Sequence, residues 1–306
     1  MDETNLNLQD QLRNAADYLA QRLMPMSGIV PRIPGIDIHG VTIPFNGIAG
    51  GDLIIYVDFS ERFDLDSRIE RASAQGHPGV AERLHRLKRK GGILVADVAG
   101  HEFTDAARAL MLNQAFHMGT LYEMDQNGEI TTRLFEMINT RFCKSVTARN
   151  LAADPDTSSF ITLIYGEISD TGRFHFVNAG HPAPLVFSRE FDRFVEISED
   201  RLVSFPPIGI QPSEDHADSK RYQRVFGYKR RYTVNELNLM GRGDVLLLYT
   251  DGLLDPLSVY TRERLERAVS TAVGGSAREI CDAVLSDRRA ASEVSDDTSL
   301  VAVKYR

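Results

Sequence analysis

Short apolar runs bounded by turn residues dominate this chain from about residue 36 onward, and they predict β-strands. The stretches "IDIHGVTIPF" (36–45) and "DLIIYVDF" (52–59) flank the glycine-rich turn "NGIAGGD". "GILVADVAG" (92–100) resumes the pattern after a charged interval, and "SSFITLIYGEIS", "RFHFVNAG", "APLVFSREF" and "FVEIS" continue it. Asp170-Thr171-Gly172 joins two of these runs and signals a hairpin. "DVLLLYTDG" and "TSLVAVKYR" close the set. Apolar residues three to four apart instead predict helices. Leu8, Leu12, Ala15, Leu19 and Leu23 do so ahead of Pro25, and Ile130, Leu134, Ile138 and Phe142 do so later. "TDAARALMLNQAFHMGTLYE", "TRERLERAVSTAV" and "AREICDAVLSDRRAA" complete the helical segments.

Strands in hairpin order with helices segregated between them indicate an α+β fold rather than a doubly wound parallel sheet. Residues 1–30 form a separate helical lead-in, able to serve as a regulatory or dimerisation element. Residues 31–306 read as one domain without an internal repeat or a dividing linker. The interval at about 60–92 is mostly charged, is expected to be helical in its second half, and reads as a solvated surface insertion.

Composition removes several function classes. Lys and Arg number 35 against 43 Asp and Glu, a net charge of −8, which argues against a grip on nucleic-acid backbone. No apolar run approaches the ~20 residues of a membrane span. The start "MDETNLNLQDQLRN" is acidic and polar, unlike a signal peptide. The only cysteines, Cys143 and Cys281, lack disulfide or zinc spacing, so a reducing cytoplasm is expected.

The candidate chemistry lies where the apolar runs end. Asp52 follows Gly50-Gly51 and begins a strand; Asp97 closes "GILVA"; Asp251 closes "VLLLYT"; Asp296 and Asp297 stand just ahead of the last strand. A carboxylate in a low-dielectric site costs several kcal/mol unless something opposes its charge. No matching set of lysines or arginines stands at these strand ends. A hard divalent cation bound by carboxylate, carbonyl and water oxygens is the natural counter-charge.

In this order, "GGDLIIYVDF", "ADVAGHE", "FITLIYGEI", "NAGHPAP", "PPIGI", "YTDGLLD" and "SDDTSLVAVKY" resemble the metal-dependent protein serine/threonine phosphatases of the protein phosphatase 2C type. The resemblance spans roughly residues 30–306 and is nearest the bacterial sporulation and stress-response branch, whose members act on anti-sigma-factor antagonists. It implies a four-layer αββα sandwich with two Mn²⁺ or Mg²⁺ ions in a cleft. By motif position, Asp97 bridges both metals, the Val98 carbonyl binds one, Asp251 and Asp296 complete the other, and Asp52 is a ligand directly or through water. Asp296 is preferred over Asp297 because the first residue of the pair is the family's ligand. His101, Glu102 and Asp297 are accessory candidates; Glu102 stands where glycine is usual in the family.

The implied reaction is attack of metal-activated water on a phosphoserine or phosphothreonine of a regulatory protein, with Asp97, Asp251 and Asp296 as the catalytic set. An upstream activator, or self-association through the N-terminal helix, is the expected control. The alternative is a phosphatase-like binding domain that has lost turnover. A cysteine-dependent phosphatase is weighed because Arg149 follows Cys143 by six residues, yet no glycine-rich phosphate loop lies between them.

Overall fold

The computed structural model describes residue 11 and residues 26–45, 50–99, 103–145, 160–198, 201–217, 227–238, 241–254, 259–291 and 296–306. The expected helix at 6–24 therefore lies, apart from residue 11, outside the described residues, as do His101 and Glu102. The strands are β1 Met26–Ser27, β2 Ile36–Ile43, β3 Leu53–Asp58, β4 Lys90–Val98, β5 Ile161–Ser169, β6 Arg173–Ala179, β7 Leu185–Ser188, β8 Arg193–Phe194, β9 Asn235–Asn238, β10 Val245–Tyr249 and β11 Thr298–Tyr305. The helices are α1 Phe59–Arg62, α2 Leu65–Ala74, α3 Pro78–Leu87, α4 Phe103–Gln126, α5 Thr132–Ser145, α6 Arg262–Ala272 and α7 Ala277–Ala291.

These strands make two sheets, ordered β1-β3-β4-β5-β6-β9 and β2-β11-β10-β7-β8. Every described pairing is antiparallel except β1 with β3. The alternation of side chains along a strand assigns each to one of three apolar layers. Ile54 and Tyr56 of β3, Ile93 and Val95 of β4, Leu246 and Leu248 of β10, and Val301 and Val303 of β11 meet between the sheets. Leu53, Ile55, Leu94 and Ala96 point the other way, toward α4 and α5. Val245, Leu247, Leu300 and Ala302 pack against α6 and α7. The result is the α+β, αββα arrangement, and it explains why "LIIYV" and "VLLLY" are apolar at every position.

The runs flanking "NGIAGGD" lie in different sheets, β2 beside β11 and β3 beside β4. One sequence expectation needs correction. The interval after β3 is not simply solvated. Its helices begin at Phe59, and Phe59, Phe63, Leu65, Ile69, Ala72, Ala81, Leu84 and Leu87 are buried in the layer outside the first sheet. Charged side chains cover only the outer faces of α2 and α3, the usual amphipathic arrangement. Asp58 and Asp64 cap α1 and α2, accepting from Ser60 and Glu61 N–H (both 3.1 Å) and from Ser67 N–H (3.0 Å). Ile69→Val is accordingly expected to cost ~1 kcal/mol in a urea melt. Exposed Glu70→Ala should stay within about 0.5 kcal/mol. Equal, negligible effects would return this segment to the surface.

Candidate active site

The register that builds the sandwich also gathers the strand ends. Leu53 pairs with Ala96, which puts Asp52 beside Asp97 at one end of the first sheet. Tyr249 pairs with Leu300, and the ladder extends through Thr250 N–H to the Ser299 carbonyl at 3.1 Å. Asp52 has the strand parity of Ile54, Asp97 that of Val95, and Thr250 that of Leu248. All three belong to the inter-sheet face.

Hydrogen bonds join the sheets at this end. The Thr250 hydroxyl donates to Asp52 Oδ2 at 2.8 Å, and Thr250 Oγ1 accepts from Ser299 N–H at 2.8 Å. Asp52 is 6% exposed, and its Oδ1 is buried without a hydrogen-bond partner. Burial, then the charge of Asp97, holds the Asp52 carboxyl well above the usual carboxylate range; bonds from Ser299 and Thr250 oppose them.

Asp297 has a different task. It is 4% exposed, and its two oxygens accept from Phe45 N–H at 2.7 Å and Gly51 N–H at 2.6 Å. It therefore ties the chain on both sides of residues 46–49 to the start of β11. Gly252 serves the same junction, since a Cβ there would collide with the Asp297 carbonyl. Gly252 thus allows the two loops to approach. Asp296 is exposed, and its Oδ1 accepts from Asp297 N–H at 2.8 Å. Asp251 is exposed in the turn after Thr250.

The structure thus brings Asp52 and Asp97 together, with Asp297 close enough to influence Asp52 electrostatically. Asp251 and Asp296 stand at the adjoining strand ends without entering the buried cluster. Among the described residues, no three or more histidine, cysteine, aspartate or glutamate side chains are gathered tightly enough to hold a metal ion. The Asp52–Asp97 pair, with its orphaned Oδ1, suits a hard cation. The ligand set that the sequence resemblance implies would need Asp251 and Asp296 to turn inward.

Sequence reasoning missed three supporting groups. Thr250, Thr162 and Asn178 are ordinary strand residues by pattern, and only the tertiary register gives them roles. Thr162 lies opposite Asp97 on β5, and its hydroxyl meets His181 Nδ1 at 2.9 Å. Asn178 grips His181 through Nδ2–H to the His181 carbonyl and His181 N–H to Oδ1, both 2.9 Å. Burial lowers the His181 pKa to about 3, so its ring is a neutral structural element.

Cys143 lies near the end of α5, and burial raises its thiol pKa to about 11. That is the reverse of the shift an attacking thiolate needs. The basic stretch after residue 218 also divides. Lys229 is buried, donating to Glu136 Oε1 and Oε2 (both 3.1 Å) and to Ser213 Oγ (2.9 Å), while Arg231 pairs with Asp215 at the surface. Lys220, Arg221 and Arg224 lie outside the described residues.

A family model, stage II sporulation protein E (SpoIIE), matches residues 88–306. The chain belongs to the SpoIIE family. Its fold is similar to that of the SiaA-PP2C domain of Pseudomonas aeruginosa, at 12% identity with all of both chains covered and a TM-score of 0.60. It is also similar to the RsbU and RsbW domains of a Mycobacterium tuberculosis protein (21% identity, TM-score 0.57, 90% of this chain and 62% of that one). A third similar structure holds the PP2C phosphatase domain and a regulatory fragment of SpoIIE from Bacillus subtilis (16% identity, TM-score 0.56, 91% and 64%). This SpoIIE-family chain therefore spans less than two thirds of the latter two chains. Its sandwich is that of the PP2C-type phosphatases, in the SpoIIE/RsbU branch.

Proposed function

We propose that this chain is a metal-dependent protein serine/threonine phosphatase that removes phosphate from a regulatory partner protein such as an anti-sigma-factor antagonist. The observation that carries this reading is the buried Asp52 carboxylate, bonded across the sheets to Thr250, beside Asp97 at the end of the β3–β4 ladder, with one oxygen unpartnered. A site that concentrates negative charge in a dry layer is suited to a cation. Asp52, Asp97, the Val98 carbonyl, Asp251 and Asp296 would hold Mn²⁺ or Mg²⁺, as two ions. When bound, such ions draw charge from phosphoryl oxygens and acidify water.

The chain's own contribution is positional. Thr250 fixes the direction of Asp52; Asp297 clamps the turn that precedes it; the β4–β5 ladder fixes Asp97. Metal dependence is supported by a similar solved structure, RsbX in complex with magnesium (12% identity, TM-score 0.53). The joint RsbU and RsbW structure supports a regulatory protein as partner. Control through residues 6–24, by an activator or by self-association, belongs to the same proposal. No helix among the described residues is long and apolar enough to cross a membrane.

The exposed positions of Asp251 and Asp296 favour a second reading, a phosphatase-like domain that binds without turnover. One assay separates the two. With Mn²⁺, an aryl phosphate should be hydrolysed, EDTA should abolish the activity, and iodoacetamide should leave it intact. The last expectation follows from the two thiols, whose pKa values burial raises to about 11 at Cys143 and about 12 at Cys281. Hydrolysis that survives EDTA but not alkylation would overturn the proposal. A Mn²⁺-dependent rise in melting temperature without hydrolysis would establish the second reading.

A further inference from the structure

The chain is acidic overall, yet one cavity gathers cations. It has a volume of about 500 Å³ and is lined by Arg189, Arg242, Lys304 and Arg306, with Asp37 as the lining carboxylate. It lies where β10 begins and β11 ends. Seven residues of β11, roughly 23 Å at strand rise, separate Lys304 from Asp297. It is therefore distinct from the candidate active site.

The charges in this cavity are not balanced. Asp37 pairs with Arg306 at 2.7 Å and also accepts from Ala277 N–H at 3.0 Å. Glu279 accepts from Ser276 N–H and Oγ–H at 2.7 and 2.8 Å, so the start of α7 is already capped. Lys304, 7% exposed, donates to the carbonyls of Val273 (2.7 Å) and Gly275. Burial, then the nearby charges of Arg189 and Arg306, lower its pKa. Arg189 and Arg242 have no carboxylate within ion-pair distance among the described residues.

Arg189 is placed by its main chain and stem. Its backbone N–H donates to Asp244 Oδ1 at 2.8 Å, and its stem crosses Gly243, where a Cβ would collide with Arg189 Cδ. Gly243 has φ +92°, so a side chain is disfavoured there on both counts. A guanidinium fork matches phosphate oxygens, and those of Arg189 and Arg242 are exposed at this cavity. We propose that this cavity binds a small molecule carrying two or more phosphate groups, held by Arg189 and Arg242 with Arg306 and Lys304 behind them. The volume suits a ligand larger than a single phosphate.

The test is calorimetric titration of the full chain with inorganic pyrophosphate in EDTA, which removes metal-dependent binding at the other end of the sheet. One site with Kd below about 1 mM is expected. Arg189→Ala with Arg242→Ala should weaken it at least about tenfold, and Asp97→Asn should leave it unchanged. Both arginines are exposed, so the double variant should keep the wild-type melting temperature without ligand. Should it not, the Arg189→Lys, Arg242→Lys pair supplies a charge-retaining comparison, which should bind more weakly than wild type. Absence of binding, equal affinity in the double variants, or loss of binding in Asp97→Asn overturns the proposal. So does arginine-dependent binding of a phosphoserine peptide by a chain that ignores pyrophosphate.

Discussion

Asp97→Asn is expected to lower Mn²⁺-dependent phosphate release by about a thousandfold or more, equivalent to ~4 kcal/mol of barrier. The substitution keeps the shape of the side chain and leaves the β3–β4–β5 ladder untouched, so a folding defect is not the expected cause. What it removes is the charge that opposes ionisation of buried Asp52. In EDTA the variant should therefore be at least as stable as the wild type, because two like charges no longer share one low-dielectric layer. Lost activity with undiminished metal-free stability marks a carboxylate retained for chemistry. Unchanged activity would remove Asp97 from the catalytic set, and lost activity with lost stability would assign it to the fold.

Asp297 should behave in the opposite way. Asp297→Ala leaves the N–H groups of Phe45 and Gly51 without their acceptor at a closely packed junction. Hydrogen bonds to charged groups are worth ~1.5–3 kcal/mol each, so a loss of ~3 kcal/mol or more is expected. At roughly 2 °C per kcal/mol for a chain of this size, the melting temperature should fall by roughly 6 °C. Asp296→Ala, on an exposed side chain, should move stability by less than about 0.5 kcal/mol while reducing activity and weakening Mn²⁺ affinity. The contrast is read by thermal melts and Mn²⁺ titration of the two variants side by side. A stable Asp297→Ala protein, or an Asp296→Ala protein with normal metal affinity, would reverse the division of labour between these neighbours.

Much of this architecture is legible in the sequence because the sandwich buries three apolar layers, and each leaves a periodic trace. The run "VLLLY" is uniformly apolar because helices cover one face of β10 and a second sheet the other. "AREICDAVLSDRRAA" marks α7 end to end because Ile280, Cys281, Val284 and Leu285 face the sheet. β9 was hidden, since "NELN" carries one apolar residue, and the strand is held by pairing with β6 and by the buried Asn235 side chain bonded to Val203. The excursion after β3 misled by its charge: Glu70, Arg71, Glu82 and Arg86 are conspicuous, while the buried Ile69 and Leu84 between them decide where it packs.

The candidate site divides in the same way. Aspartates at strand ends announce themselves because carboxylates are costly at the edge of an apolar layer. Their separate duties do not, because "SDD" shows two equivalent acids until the bonds from Phe45 and Gly51 single out Asp297. Thr250 is hidden for the same reason: a threonine closing a strand has no sequence mark of the carboxylate it meets in another sheet. Lys229, one cation in a basic stretch, is distinguished only by its own burial opposite Glu136.

The central claim is that carboxylates from separate strands converge on divalent cations. Anomalous diffraction from crystals of the full chain grown with excess Mn²⁺ tests it most directly. The account predicts manganese peaks enclosed by Asp97 together with Asp251 and Asp296, with Asp52 Oδ1 directed at one of them. Crystals in which manganese binds elsewhere, or in which Asp251 and Asp296 still face solvent beside an empty Asp52–Asp97 pair, would contradict it.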